Sequence, residues 1–491
     1  MTELLEEQRH DVAFVVVDPE ALIEEARRRQ RRRRSRLLGV VVGLAGAAAV
    51  AYALVQATRG GAPAVERVPR GPVVAVRSFA HHGRLAFVSH GKLWLLDGNA
   101  SRLKLLPTPG GGFTASQPVF SSDGKWLAYL EQRQNPVTQQ LYSRLWIARA
   151  DGTEAHVVPG LQVESLFGWS PTADVIAVAA GPEHTRQTQS CPCFSPRTLR
   201  IVIASGASRI LARGSWLYGA SWSPDGTQIA AAWIGMKSSR LFTYRVATGT
   251  SRLWLTRLAR QTLNGMNGIV FSIAGWWPRF GLGTWVFGDG AIRNNDETPL
   301  DAVAAPGAIP RLLGQTLSDG TTDAVAASSN GELAIVTDHG GGRSLWQGKR
   351  VEVCTQPSSP CTALPHTPGS VTVDPAWSPG GKTLAYVQAP DFSKGSWSQK
   401  RLAEWFADHR VLLYDAGTHH VRRLPAATGA TAITWSHDGT SLLYVRDDAL
   451  WLLPSLQSKA IRIAGPLFPP LNWPQYYAQI AWSAQFAWSA G

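Results

Sequence analysis

Cysteine is almost missing from this chain, with four in 491 residues. That scarcity excludes a disulfide-dense small scaffold and a cysteine-rich zinc module. Charge is sparse too: 17% of residues, against about a quarter in typical domains. With 44% hydrophobic residues the chain still has the means to fold. Catalytic signatures are also missing. There is no Gly-x-Ser-x-Gly elbow, no His-Glu-x-x-His, no phosphate loop and no Gly-x-Gly-x-x-Gly at a strand-to-helix turn. No EF-hand series accompanies the Asp-Gly pairs. His81-His82 and His419-His420 are doublets. Neighbours on a strand face opposite ways, so these are expected as turn histidines and not chelators. No cofactor, metal or catalytic residue is expected, and no nucleic-acid partner.

The cysteines fall in two local pairs. Cys354 and Cys361 bracket six residues, a loop that a disulfide closes readily, and such a bond needs an oxidising compartment. A bond within Cys191-Pro-Cys193 would be strained, and whether these two pair stays open.

From Leu37 to Thr58 charge is absent altogether. About 20 apolar residues cross a bilayer core as a helix. Eight of the nine arginines of residues 1–36 lie between Arg27 and Arg36, and only Arg59 follows closely on the far side. The positive-inside rule then places the N-terminus in the cytoplasm and the remainder outside. A cleaved signal, with Ala51-Tyr-Ala53 as its small-residue site, is the competing reading. Asp18-Pro19-Glu20 is a helix start, with Asp as N-cap and Pro at the first position. The expected organisation is a cytoplasmic tail with a basic helix (1–36), a transmembrane helix (37–58), a linker (59–71) and a large repeat domain (72–491). The net charge of +13 divides as +1 on residues 1–36, none on 37–58 and +12 on the rest. It is a mild bias toward anionic partners, namely lipid head groups at the arginine run and envelope polymers outside, and the competing reading is a plain solvated surface.

What the chain does have is a recurring phrase. It reads Phe120-Ser-Ser-Asp-Gly124, Trp222-Ser-Pro-Asp-Gly226, Trp377-Ser-Pro-Gly-Gly381 and Trp435-Ser-His-Asp-Gly439. Weaker copies are Trp169-Ser-Pro-Thr-Ala173 and Ala327-Ser-Ser-Asn-Gly331. The spacing is roughly 50 residues or a small multiple, the period of propeller blades. Each copy ends one strand, turns on Gly and opens an alternating strand such as Lys125-Trp-Leu-Ala-Tyr-Leu130. Further strands follow, for example Val411–Asp415 and Val421–Leu424. Four antiparallel strands per unit make an all-β propeller of seven or eight blades. The aromatic before Ser is expected to pack between blades. Units begin near Arg84, Phe120, Trp169, Trp222, Phe271, Ala327, Trp377 and Trp435. The first lacks an opening strand, and Ala478–Ser483 looks like one without a blade. The C-terminal segment is therefore expected to complete the first unit and close the ring.

The phrase Trp-Ser-Pro-Asp-Gly-x-x-Ile/Leu-Ala resembles the TolB-type, or WD40-like Pro-Asp, propeller repeat over roughly residues 72–491. The resemblance implies a propeller. Its members include periplasmic scaffolds, propellers attached to peptidases, and envelope lipoproteins beside sensor kinases. This chain has no cysteine after the membrane segment for lipid attachment, and no hydrolase domain is expected after the ring.

Three loops between second and third strands read as long: Glu131–Ser143, Gly181–Thr198 and Gln388–Arg410. Insertions on one face of a repeat array mark a binding face. In the last, Ser398 caps a short helix carrying Leu402, Trp405 and Phe406 beside Arg401 and Arg410. Aromatic residues with Arg compose interface hot spots. The alternative is that the aromatics fold down onto the propeller as a lid. The expected function is a non-catalytic, membrane-anchored extracytoplasmic propeller that binds a protein or envelope polymer. Two other readings stay open: an envelope enzyme or small-ligand sensor using the funnel, and a regulator acting through the cytoplasmic helix.

Overall fold

The computed structural model describes residues 71–490, apart from 108–111, 135–140, 183–196, 215, 236–237, 259–269, 288–296, 318–323, 341–343, 394–397, 468–479 and 481. The proposed tail, membrane segment and linker to Arg70 therefore lie outside the described residues, as do Cys191 and Cys193. Among the described residues no helix is long and apolar enough to cross a membrane.

The strands form seven hydrogen-bonded antiparallel sheets. Six are built on four strands, one of which carries Val73–Val74 as a fifth, outer strand. The seventh has eight strands, because two four-stranded runs starting at Val270 and Val325 share a single bridge, Thr316 to Thr337. One typical unit comprises Thr114–Phe120, Trp126–Gln134, Leu141–Arg149 and His156–Val157. The first strands of neighbouring units lie against one another at most junctions, so they form the inner wall. The fourth strands lie outermost, except in the last unit, where Val73–Val74 lies outside Ile461–Gly465.

Each Ser-x-Asp-Gly turn works by the same chemistry. Ser223 Oγ donates to Asp225 Oδ1 at 2.6 Å and accepts from the Gln228 amide at 2.9 Å. Ser436 with Asp438 and Ser121 with Asp123 repeat the first bond. Gly226 sits at φ +68°, where its Cβ would also strike Thr172 Oγ1 of the preceding unit at 2.3 Å.

The aromatic before Ser packs between units. Trp169, Trp222, Trp377 and Trp435 are all less than 10% exposed. Three of them also tie units together. Trp169 Nε1 donates to the Val119 carbonyl, Trp222 Nε1 to Gly168 and Trp435 Nε1 to Ala376, at 2.9–3.1 Å. Each acceptor is the residue just before the previous unit's own aromatic. Trp377 follows the copy that has Ala327 in the aromatic place and a strand of only three residues, Val325–Ala327, and its Nε1 has no partner among the described residues.

The ring closes through the C-terminus, as expected, but with a different segment. Phe486–Ser489 pairs with Arg84–Ser89, with Leu85 opposite Trp488 and Phe87 opposite Phe486. Trp482–Ala484, from the segment expected to close the ring, is instead a short 3-10 turn. The chain holds two Ala-Trp-Ser copies, and the second one closes the sheet. Phe486 is buried against Leu85 and Phe87, and Trp488 Nε1 donates to the His82 carbonyl at 2.6 Å. Val73–Val74 pairs with Ile461–Gly465 of the last unit, so both ends of the domain seal the same junction.

Candidate functional site

The Gln388–Arg410 insertion holds the helix Gln399–Ala407. Ser398 caps it, accepting from the Arg401 amide at 3.1 Å. The helix lies on its apolar stripe. Leu402 and Trp405 are buried with Trp346, Val371 and Ala389. Trp405 Nε1 donates to the Pro390 carbonyl at 2.9 Å. Of the two aromatics, Trp405 therefore folds down as the lid alternative has it, and neither it nor Leu402 is open to a partner. Arg401, Phe406 and Arg410 keep part of their surface in solvent. The Arg401 guanidinium stacks 4.4 Å over Phe392. Arg410 donates to the Ala407 and His409 carbonyls and pairs with Asp408 at 3.4 Å.

Beneath the helix lies His409, fully buried, its ring 4.3 Å from Trp405 and perpendicular to it. Nδ1 donates to the Ala430 carbonyl at 2.9 Å, and Nε2 has no partner among the described residues. Burial pushes its pKa down to about 4, while Asp374 pulls the other way.

The Glu131–Ser143 insertion shrinks. Glu131 and Arg144 pair within extended strands, so only 135–140 separates the second and third strands there. Buried Glu131 accepts from Trp146 Nε1 at 3.1 Å, and burial raises its carboxyl. Gly181–Thr198 lies largely outside the described residues. Cys354 and Cys361 form the expected disulfide, with Cα atoms 4.2 Å apart.

On the inner wall, six of the described first strands carry a bulge, seen as a register shift at places such as Val373/Ala376 and Thr431/Thr434. Asp374 sits at such a bulge, at φ +51°. Its Oδ2 accepts from Thr431 Oγ1 at 2.5 Å and from the Ala432 amide at 3.3 Å, across to the next unit. That carboxylate is thus committed to joining units. Among the described residues no three of His, Cys, Asp and Glu gather as a metal set.

A cleft that sequence reading missed lies at the ring-closing junction. His81, His82, His437, Asp438, Trp488 and Ser489 line a cavity of about 290 Å³. Partial burial lowers the His82 pKa, and Asp438 opposes the shift. The Ser436 hydroxyl and the Thr440 amide hold the Asp438 carboxyl low. His82 and His437 meet only because the ring closes. The available signal was the pairing of an end-strand inference with the His81-His82 doublet beside it.

No protein-family model matches the chain, and no curated protein does. Solved structures do. A prolyl endopeptidase structure is 14% identical with a TM-score of 0.46, covering 76% of this chain and 57% of that one. Dipeptidyl peptidase 4 of Porphyromonas gingivalis is 10% identical with a TM-score of 0.49, covering 80% and 59%. TolB of Acinetobacter baumannii is 14% identical with a TM-score of 0.33, covering 77% and 76%. The chain thus spans less than two thirds of both peptidases. The likeness is one of fold, and the fold stands on the strand pairing above.

Proposed function

We propose that the chain is a membrane-anchored, extracytoplasmic propeller, of eight units by strand count, that binds a protein or envelope polymer and performs no chemistry of its own. The observation that supports it best is how the buried and half-buried ionisable groups are used. Asp374 joins two units, Glu131 accepts from Trp146, and Lys349 pairs with Asp338 in full burial. Groups of this kind at an active site would face a substrate. Here they hold strands. The Cys354–Cys361 bond supports an oxidising location outside the cytoplasm.

The partner face of this reading is the outer side of the helix Gln399–Ala407. Arg401 and Phe392 form one half and Phe406 and Arg410 the other. Leu402 and Trp405 position it from below. The test is cross-linking and purification of the intact membrane protein, with R401E/R410E as comparison. The proposal expects one companion in stoichiometric yield from the native chain, reduced at least tenfold in the variant. Equal recovery from both would remove this face. A reporter fused after the last residue and active only in the cytosol would remove the topology.

The small-ligand reading keeps one specific support, the histidine-lined cleft at the closing junction. Its polar lining of three imidazoles and a carboxylate beside an indole suits a small polar molecule.

A further inference from the structure

The fourth strands of the eight units share a property that the proposed partner face does not use. Together they hold ten Lys or Arg and no Asp or Glu. Five lie on three consecutive units, namely Arg209 and Arg213, Arg252 and Arg257, and Arg311. The other five lie on the three units around the closing junction. All but Lys104 are exposed, and none of the ten forms an ion pair among the described residues.

Charges on outer strands are expected, because they stop edge-to-edge sheet pairing. Either sign does that, so edge protection leaves the choice of sign unexplained. Acidic residues are not short in this domain. They sit in turns, as Asp123, Asp151, Asp225 and Asp438 do, and on first to third strands, as Glu164, Asp97, Asp301 and Glu352 do. The chain thus keeps its acidic residues off the fourth strands, whose charge is basic alone.

We propose that this rim is the binding surface for a linear polyanion of the cell envelope, a flexible polymer with phosphate or carboxylate groups along its length. The inference deepens the proposed function and rests on its extracytoplasmic location. Basic fourth strands occur on six of eight units, in two groups separated by units whose fourth strands, His156–Val157 and Thr362–Ala363, have no Lys or Arg. A flat bilayer can meet only one side of a ring. A flexible chain can follow a curved rim and meet both groups. Each Arg that neutralises a phosphate releases counterions, so binding must weaken steeply with salt.

The test uses the full-length protein in neutral detergent and fluorescent long-chain polyphosphate as probe. The rim variant is R209E/R252E/R311E. The matched control is K92E/K125E/K382E, three exposed lysines off the fourth strands and off the helix Gln399–Ala407. Arginine-to-glutamine versions of the rim variant keep the edges polar should charge reversal disturb folding. The proposal expects the rim variant to weaken binding at least tenfold. It also expects the slope of log Kd against log salt to fall by about 2, because three arginines no longer neutralise phosphates. The control should leave that slope in place. Equal losses in both variants would reduce the effect to net charge and overturn the proposal. Sedimentation with anionic vesicles in the absence of polyphosphate binding would overturn it too, since Leu253 and Leu312 stay exposed on the same strands and suit lipid. The binding is read in vitro, so its failure is distinct from a failure of the topology, which the C-terminal reporter reads.

Discussion

His409 shows what a single residue contributes. Its imidazole is buried under the helix Gln399–Ala407, and among the described residues only its Nδ1 is hydrogen-bonded. Asp374, Asp408 and Arg410 are the charges around it. Its folded pKa of about 4 lies below the ordinary 6.5. The unfolded chain therefore takes up the proton first as pH falls. The stability that the neutral ring contributes is complete above about pH 6.5 and is lost on descent toward pH 4, on the order of 2–3 kcal/mol. Urea unfolding at pH 7 and pH 5 should show the loss in the native chain and a smaller loss in His409→Gln. An equal loss in both would contradict it. The turn carboxylates do not compete in that window. Asp225 and Asp438 are held low by Ser and Thr donors, so their contribution is lost only below the usual carboxylate range. Residue roles of this kind were partly legible beforehand. Ser-x-Asp-Gly announces its own bonds within six residues. The burial of His409 depends on Ala430 and Trp405 meeting in space, which local sequence does not encode.

At the scale of elements, the first strand carries the repeat and the fourth varies. The tryptophan bonds that link successive units follow the phrase copy by copy, and they lapse where Ala327 replaces the aromatic. In that weak unit the fourth strand is only Thr362–Ala363, and the disulfide fastens it to Lys349–Cys354. Replacing both cysteines by alanine should lower the unfolding free energy by about 2 kcal/mol, since the loop closed is short. Denaturant midpoints check this, and an unchanged midpoint would show that the bond is dispensable. The helix was legible from its Ser398 cap and its apolar stripe. What covers the stripe was not, because Trp346 and Val371 approach it from the preceding unit and the inner wall. Likewise Glu131 reads as a loop residue by polarity, yet it is buried in a strand because Trp146 supplies a donor.

At the scale of the molecule, order along the chain became order around a ring because one face of each sheet can be buried only by its neighbour. The closing of the ring by the C-terminus was legible from the missing opening strand of the first unit. Which Ala-Trp-Ser copy closes it was not, since both copies carry the same local pattern and only packing against Leu85 and Phe87 distinguishes them. The closing cleft and the basic rim are products of that closure. The most direct measurement is amide hydrogen exchange at Phe486–Ser489 in the full-length protein. The closed ring predicts protection comparable to that of its partner strand Arg84–Ser89. Exchange at the rate of an untethered chain end would contradict it.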